Sequence, residues 1–158
     1  MTTPSYLPSD NPRVAPADHP FRFRLPVQIR FSDIDMLGHL NNNVYLTFMD
    51  LAKIEYFCAI NGSPVSVHDL CMVVVNVNCD FVSPTFLGDQ IEVWTRTTHI
   101  GERSVKLEQR LVDRNTGETK CVARTVMAGF DPKNMTGAPI PERWVKKIEV
   151  FEQRSFAD

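Results

Sequence analysis

The rhythm of apolar and polar positions changes several times along the chain, and each change marks an element. Residues 25–31 set Leu25, Val27, Ile29 and Phe31 against Pro26, Gln28 and Arg30, the alternation of a half-buried strand. From Val44 to Ile60 nearly every residue is apolar apart from Thr47, Asp50, Lys53 and Glu55. That is too apolar for a helix with one wet face, so the segment predicts a long helix wrapped by a sheet. Asn61-Gly62 supplies its stop, because these residues tolerate the left-handed conformation at a helix end.

Residues 71–82 form a β-branched run that ends at Ser83-Pro84, and Gly88-Asp89 marks a turn. Residues 90–99 and 103–112 read as strands joined by the hairpin Ile100-Gly101-Glu102. Asn115-Thr116-Gly117 turns the chain into a last strand at 118–130, and Pro141 opens a helix at 141–152. The order β, α, β, β, β, β predicts an α+β layer arrangement, four meandering strands and the first forming an antiparallel sheet curled around one helix. Such a sheet has open edges, and edge pairing predicts a homodimer with a continuous sheet.

Composition narrows the picture. A chain of 158 residues fits one domain, and a net charge of −2 argues against nucleic acid as a partner. Cys58, Cys71, Cys79 and Cys121 show no CxxC pair and are expected reduced. Pro4, Pro8, Pro12, Pro16 and Pro20 thread an arm over residues 1–22, expected mobile or draped over a partner, ahead of a single domain at 23–158. The arm has no apolar run of the signal-peptide kind, and Asp50, Lys53 and Glu55 interrupt the long apolar segment. The expectation is a cytoplasmic protein without a membrane span.

Candidate chemistry gathers between Arg30 and Phe57. Asn41, Asn42 and Asn43 precede the apolar helix and are N-cap candidates. Free amides and the helix dipole at that end favour an oxygen acquiring negative charge, and Asp35 stands a few residues upstream as a base or nucleophile. Asp33 reads as a structural acid. His39 either orients a water, bonds a carbonyl, or ties down the turn. A metal site from Asp33, Asp35 and His39 lacks a fourth ligand, and Ser32 lacks the glycines of a nucleophile elbow. His19, His68 and His99 are isolated.

The run Asp33-Ile-Asp35-Met-Leu-Gly38-His39-Leu-Asn41-Asn42-Asn43-Val-Tyr45, with the helix after it, Ser83-Pro84, Gly88-Asp89 and the strand meander, resembles the hotdog-fold thioesterases of the 4-hydroxybenzoyl-CoA thioesterase type. The resemblance covers roughly residues 23–152. It implies a hotdog fold, a five-stranded antiparallel sheet around a long central helix. It also implies an acyl-CoA thioesterase; the expectation alongside it is an enzyme without cofactor or metal, acting as a homodimer or a dimer of dimers. Carried over, Asp35 is nucleophile or general base, with His39 and Asn42 beside it in the catalytic set. An amide among Asn41 to Asn43 polarises the carbonyl; apart from the resemblance, Asn41, Asn43 and Tyr45 read first as cap and packing residues and second as candidate substrate contacts. Coenzyme A needs cations for its phosphates, for which Arg103 and Lys106, or Arg124, are the candidates. The GHxNN version is more similar to bacterial acyl-CoA and plant acyl-ACP thioesterases than to the 4-hydroxybenzoyl branch. An acyl-ACP thioesterase and a non-catalytic acyl-CoA-binding protein are the alternatives.

Overall fold

The structure is a computed structural model that describes residues 12–157; the first half of the arm and the last residue lie outside the described residues. Strands β1 (Phe23–Val27), β2 (Met72–Phe81), β3 (Ile91–Ile100), β4 (Ser104–Asp113) and β5 (Thr119–Asp131) form one antiparallel sheet in the order β1-β3-β4-β5-β2. A two-residue strand, β6 (Thr136–Gly137), pairs with the end of β5. Helices are α1 (Asn42–Asn61), α2 (Val67–Leu70) and α3 (Glu142–Glu152). The α+β hotdog arrangement expected from the sequence is the one found.

The twenty residues of α1 span about 30 Å and cross one face of the sheet. Asn41 caps its start, its side chain accepting the Asn43 N–H, and Gly62 ends it in the left-handed conformation with φ of 76°. The first half of α1 packs Tyr45, Phe48, Met49 and Ala52 against Ile91, Val93, Leu111 and Cys121. The second half packs Tyr56 and Phe57 with Val105, Leu107, Met127 and the α3 residues Trp144 and Ile148. Each large side chain buried there contributes roughly 1.5–3 kcal/mol. Among the described residues, no helix is long and apolar enough to cross a membrane.

Three expectations are corrected. Only β3, β4 and β5 meander: β2 lies on the far side of β5, because loop 82–90 is too long for a hairpin and carries the chain across the sheet end. The first strand stops at Val27, since its partner Ile91 is the first residue of β3 and the sheet offers nothing beyond it. Phe31 turns instead into a short 3₁₀ turn, Phe31–Asp33. Leu46, Leu51 and Ile54 lie on the side of α1 turned away from the sheet and are exposed. Finally, residues 12–22 are pinned to the chain's own sheet on the face opposite α1. Ala15 O accepts from Arg110 at 2.7 Å, Asp18 pairs with Arg96 at 2.7 Å, and the buried Phe21 ring lies under both guanidiniums.

Candidate active site

The chain between β1 and α1 is organised around Asp33. Its carboxylate accepts from the Arg30 N–H at 2.8 Å and from the Arg30 guanidinium at 2.9 and 3.3 Å, so both oxygens are spent. The guanidinium holds the buried Asp33 carboxyl below its usual range. The Asp33 carbonyl accepts the Asn41 N–H at 2.9 Å, which fixes where α1 begins.

Residues 34–40 form a narrow turn closed by an Ile34–Leu40 bridge. The Asp35 N–H donates to His39 O at 2.9 Å, and Gly38, at φ of 81°, returns its N–H to Asp35 O at 3.0 Å. One oxygen of the half-buried Asp35 carboxylate accepts the Leu37 N–H at 2.9 Å; the other has no protein partner among the described residues. Met36 and Leu37 stand at the tip, 99% and 74% exposed. The Leu40 N–H donates to Thr85 O at 2.7 Å, and the His39 ring meets Phe86 edge-on at 5.3 Å. The turn is thus held from the α1 side and from loop 82–90.

At the helix start the donors divide. The Asn43 N–H is taken by the Asn41 side chain at 3.0 Å and the Val44 N–H by Asn41 O at 2.9 Å. The N–H of the exposed Asn42 has no acceptor among the described residues. Capping and charge stabilisation compete for these amides, and the geometry leaves Asn42 for the second task. A turn that presents a carboxylate oxygen and leads directly into an uncommitted helix amide has the parts needed to bring a base or nucleophile to a carbonyl whose oxygen the amide holds.

The other sequence candidates lie elsewhere. Tyr45 is buried, its hydroxyl donating to Thr85 Oγ1 at 2.8 Å and its ring against Phe81. Arg103 sits in the β3–β4 hairpin, at the far end of ten-residue strands from Asp35, about 30 Å along the sheet. Lys106 points from the face opposite α1, and Arg124 there pairs with Asp80 at 3.2 Å. Within one chain neither Arg103 nor Lys106 meets Asp35. Sequence reasoning missed Thr85, fully buried and bonded to both Leu40 and Tyr45. Its signal was a lone threonine after Ser83-Pro84, read only as a strand end. Beside α1 an open groove of about 480 Å³ runs between Leu25, Val27, Phe48 and Leu51, with Arg30 and Glu55 among its polar residues.

Residues 29–148 match the sequence profile described as the Thioesterase-like superfamily. Among solved structures, the chain is similar to a thioesterase of Thermus thermophilus crystallised with coenzyme A and Zn. It shares 34% identity and a TM-score of 0.76 with that protein, over 85% of this chain and 96% of the other. It is 25% identical over 130 residues to the acyl-CoA thioester hydrolase YbgC of Escherichia coli, covering 80% of this chain and 96% of that protein. A further match, 28% identical over 87 residues, is to the uncharacterized protein YsmA of Bacillus subtilis and spans 58% of that relative's length.

Proposed function

Because the chain belongs to the thioesterase-like superfamily and is a thioester hydrolase, we propose that it hydrolyses an acyl-CoA to the free acid and coenzyme A. Asp35 attacks the thioester carbonyl or removes a proton from the attacking water, and the Asn42 N–H holds the oxygen that becomes negative. The observation that carries this reading is the division of donors at the head of α1, with Asn43 capped and Asn42 without an acceptor among the described residues, preceded by a turn whose Asp35 carboxylate has one uncommitted oxygen. General-base assistance contributes about 10² to 10⁴ in rate and one oxyanion donor about 10² to 10³, enough for a modest hydrolase. His39, packed on Phe86, borders the same turn and positions water or substrate. The groove along Phe48 and Leu51 has the size and lining that suit an acyl chain.

The active assembly is a homodimer joined through β2. Strand β2 is a sheet edge, and Val74, Val75, Val77 and Phe81 along it are 42–59% exposed. Antiparallel pairing of two copies would set the Phe81 end of one beside the Met72 end of the other. The β3–β4 hairpin lies at that Met72 end, so Arg103 of a second copy would approach Asp35 and meet the coenzyme A phosphates.

Thiol release from a panel of short, long and aromatic acyl-CoA esters, with Asp35→Asn beside the parent protein, tests the reading. Turnover that disappears in the variant supports it. Undiminished turnover in Asp35→Asn removes Asp35 from the mechanism, and activity only on carrier-protein thioesters transfers the substrate to acyl-ACP.

A further inference from the structure

We infer that Cys79 and Cys121 form a dithiol site that a hydroperoxide oxidises to a disulfide, tying edge strand β2 to β5, and that thiol reductants reopen. The two sulfurs stand 3.1 Å apart. Cys79 lies opposite Ala123 and Cys121 opposite Phe81, so the cysteines are diagonal neighbours on one face of the sheet. Diagonal positions in an antiparallel pair are about 7–8 Å apart at Cα, beyond the usual ~4.4–6.8 Å of a disulfide. Closing the bond therefore draws β2 toward β5. The register shift between Val74 and Asn76 already interrupts the β2–β5 ladder, which leaves β2 room to adjust against β5 even with its outer edge paired to a second copy. A bond closed under such strain is readily reduced, which suits a reversible modification more than a permanent staple.

The two thiols divide the chemistry by environment. Cys79 is half-buried and within reach of a small oxidant, whereas Cys121 is fully buried. The hydrogen bond from Cys121 holds the Cys79 thiol below its usual range despite partial burial, favouring the nucleophilic thiolate there. That thiolate attacks one peroxide oxygen; the O–O bond breaks, an S–O bond forms, and water, or the alcohol of an organic hydroperoxide, leaves. Cys121 then attacks the sulfenic sulfur, the S–O bond breaks, the S–S bond forms, and the hydroxyl departs as water with the Cys121 proton. Two thiols lose two electrons, and the peroxide gains them: hydrogen peroxide leaves as two waters, an organic hydroperoxide as one alcohol and one water. The Cys121 thiol is pushed up first by its contact with Cys79 and then by burial. Oxidation of Cys79 removes the thiol contact that raises Cys121 most, and Cys121, 3.1 Å away, is placed to resolve the sulfenic acid second.

The position gives the bond a consequence. Cys121 shares a core group with Leu40, Tyr45 and Phe48, and Phe81, two residues from Cys79, packs on Tyr45. A shift of β2 acts on the floor beneath the first turns of α1, whose amide the proposed reaction uses; this step rests on that reading.

The test is oxidation of the full folded chain with a modest excess of hydrogen peroxide, followed by thiol counting, intact mass and non-reducing peptide mapping. Expected are the loss of two thiols, a mass lower by two hydrogens, and a single Cys79–Cys121 cross-linked peptide that dithiothreitol reverses. Cys121→Ser should stop at a Cys79 sulfenic acid that dimedone captures, and Cys79→Ser should leave Cys121 unoxidised. Cross-links to Cys58 or Cys71, or Cys79 accumulating as sulfinic acid beside a free Cys121, would overturn the proposal. Turnover on an acyl-CoA should fall on oxidation and return on reduction. A disulfide formed without that change overturns the link to the site, and since thiol counting needs no activity, failure of the thioesterase reading shows separately.

Discussion

The Tyr56 hydroxyl donates to Glu152 Oε1 at 2.5 Å, joining the middle of α1 to the last residue of α3 through one buried carboxylate. The same oxygen accepts the Thr97 N–H at 3.0 Å, while Oε2 has no partner among the described residues. Burial raises the Glu152 carboxyl above the ordinary 4.5. The folded state therefore holds the proton more tightly than the unfolded chain. The stability this group adds is complete below about pH 4.5 and is lost as pH rises through the elevated folded value. Glu152→Gln cannot titrate, so the difference in melting temperature between parent and variant should shift in the variant's favour from about pH 4 toward about pH 8. A difference that stays constant with pH would mean that folding leaves the Glu152 carboxyl unshifted.

Asp33 and Asp35 are two residues apart and should separate cleanly by mutation. Asp33→Asn loses charge-assisted bonds to Arg30 at the root of α1, and a fall in stability on the order of 1 kcal/mol is expected, seen in thermal melts. Asp35→Asn keeps an oxygen for the Leu37 N–H and should melt like the parent while losing at least about 100-fold in turnover. A reversed pattern, with Asp33→Asn stable and inactive, would move the chemistry to Asp33.

What the sequence disclosed depended on how local each determinant is. Both ends of α1 were legible because cap chemistry is read within a few residues: three asparagines before the apolar run, Asn61-Gly62 after it. The hairpins joining β3, β4 and β5 were legible for the same reason. The place of β2 was not, since its pairing with β5 joins residues far apart along the chain and leaves no local mark. The docking of Asp18 and Phe21 beneath Arg96 and Arg110 was hidden likewise, because charges on alternate strand positions read as a solvated face. In the site, Asp35 and the asparagine cap follow from their neighbours in sequence, whereas Thr85 becomes important only when loop 82–90 folds over Leu40.

Gly129 tolerates no side chain. A Cβ there would stand 2.1 Å from the Ala138 carbonyl oxygen, and the close approach lets Ala138 N donate to Gly129 O where the chain leads from β6 into α3. Gly129→Ala forces the backbone apart and should cost about 3 kcal/mol, because a backbone carbonyl cannot swing away as a side chain can. A variant that melts within a few degrees of the parent would show that the 138–141 segment is not held against β5.

Dimerisation through β2 is open to a direct measurement. Sedimentation equilibrium of the parent should return twice the chain mass, and Val74→Lys, which places a charge among the exposed apolar residues of that edge, should shift it toward the single chain. Loss of dimer should raise KM for acyl-CoA if Arg103 acts across the interface. A parent protein that sediments as one chain removes both the dimer and that role of Arg103.

The groove beside α1 makes its own demand on acyl length. Leu51 lies one turn beyond Thr47 on the same side of α1, lining the groove with one face and meeting solvent with the other. Leu51→Trp fills part of the volume without touching the Asp35 turn or the Asn42 amide. A pocket discriminates by roughly 1–3 kcal/mol per methylene it gains or loses, so kcat/KM for a long acyl-CoA should fall at least about tenfold while acetyl-CoA is spared. Equal losses for both esters would indicate a general disturbance of α1. No loss for either would place the acyl chain outside this groove, toward the exposed inner side of β2, where Val77 and Phe81 offer the other apolar surface along the helix.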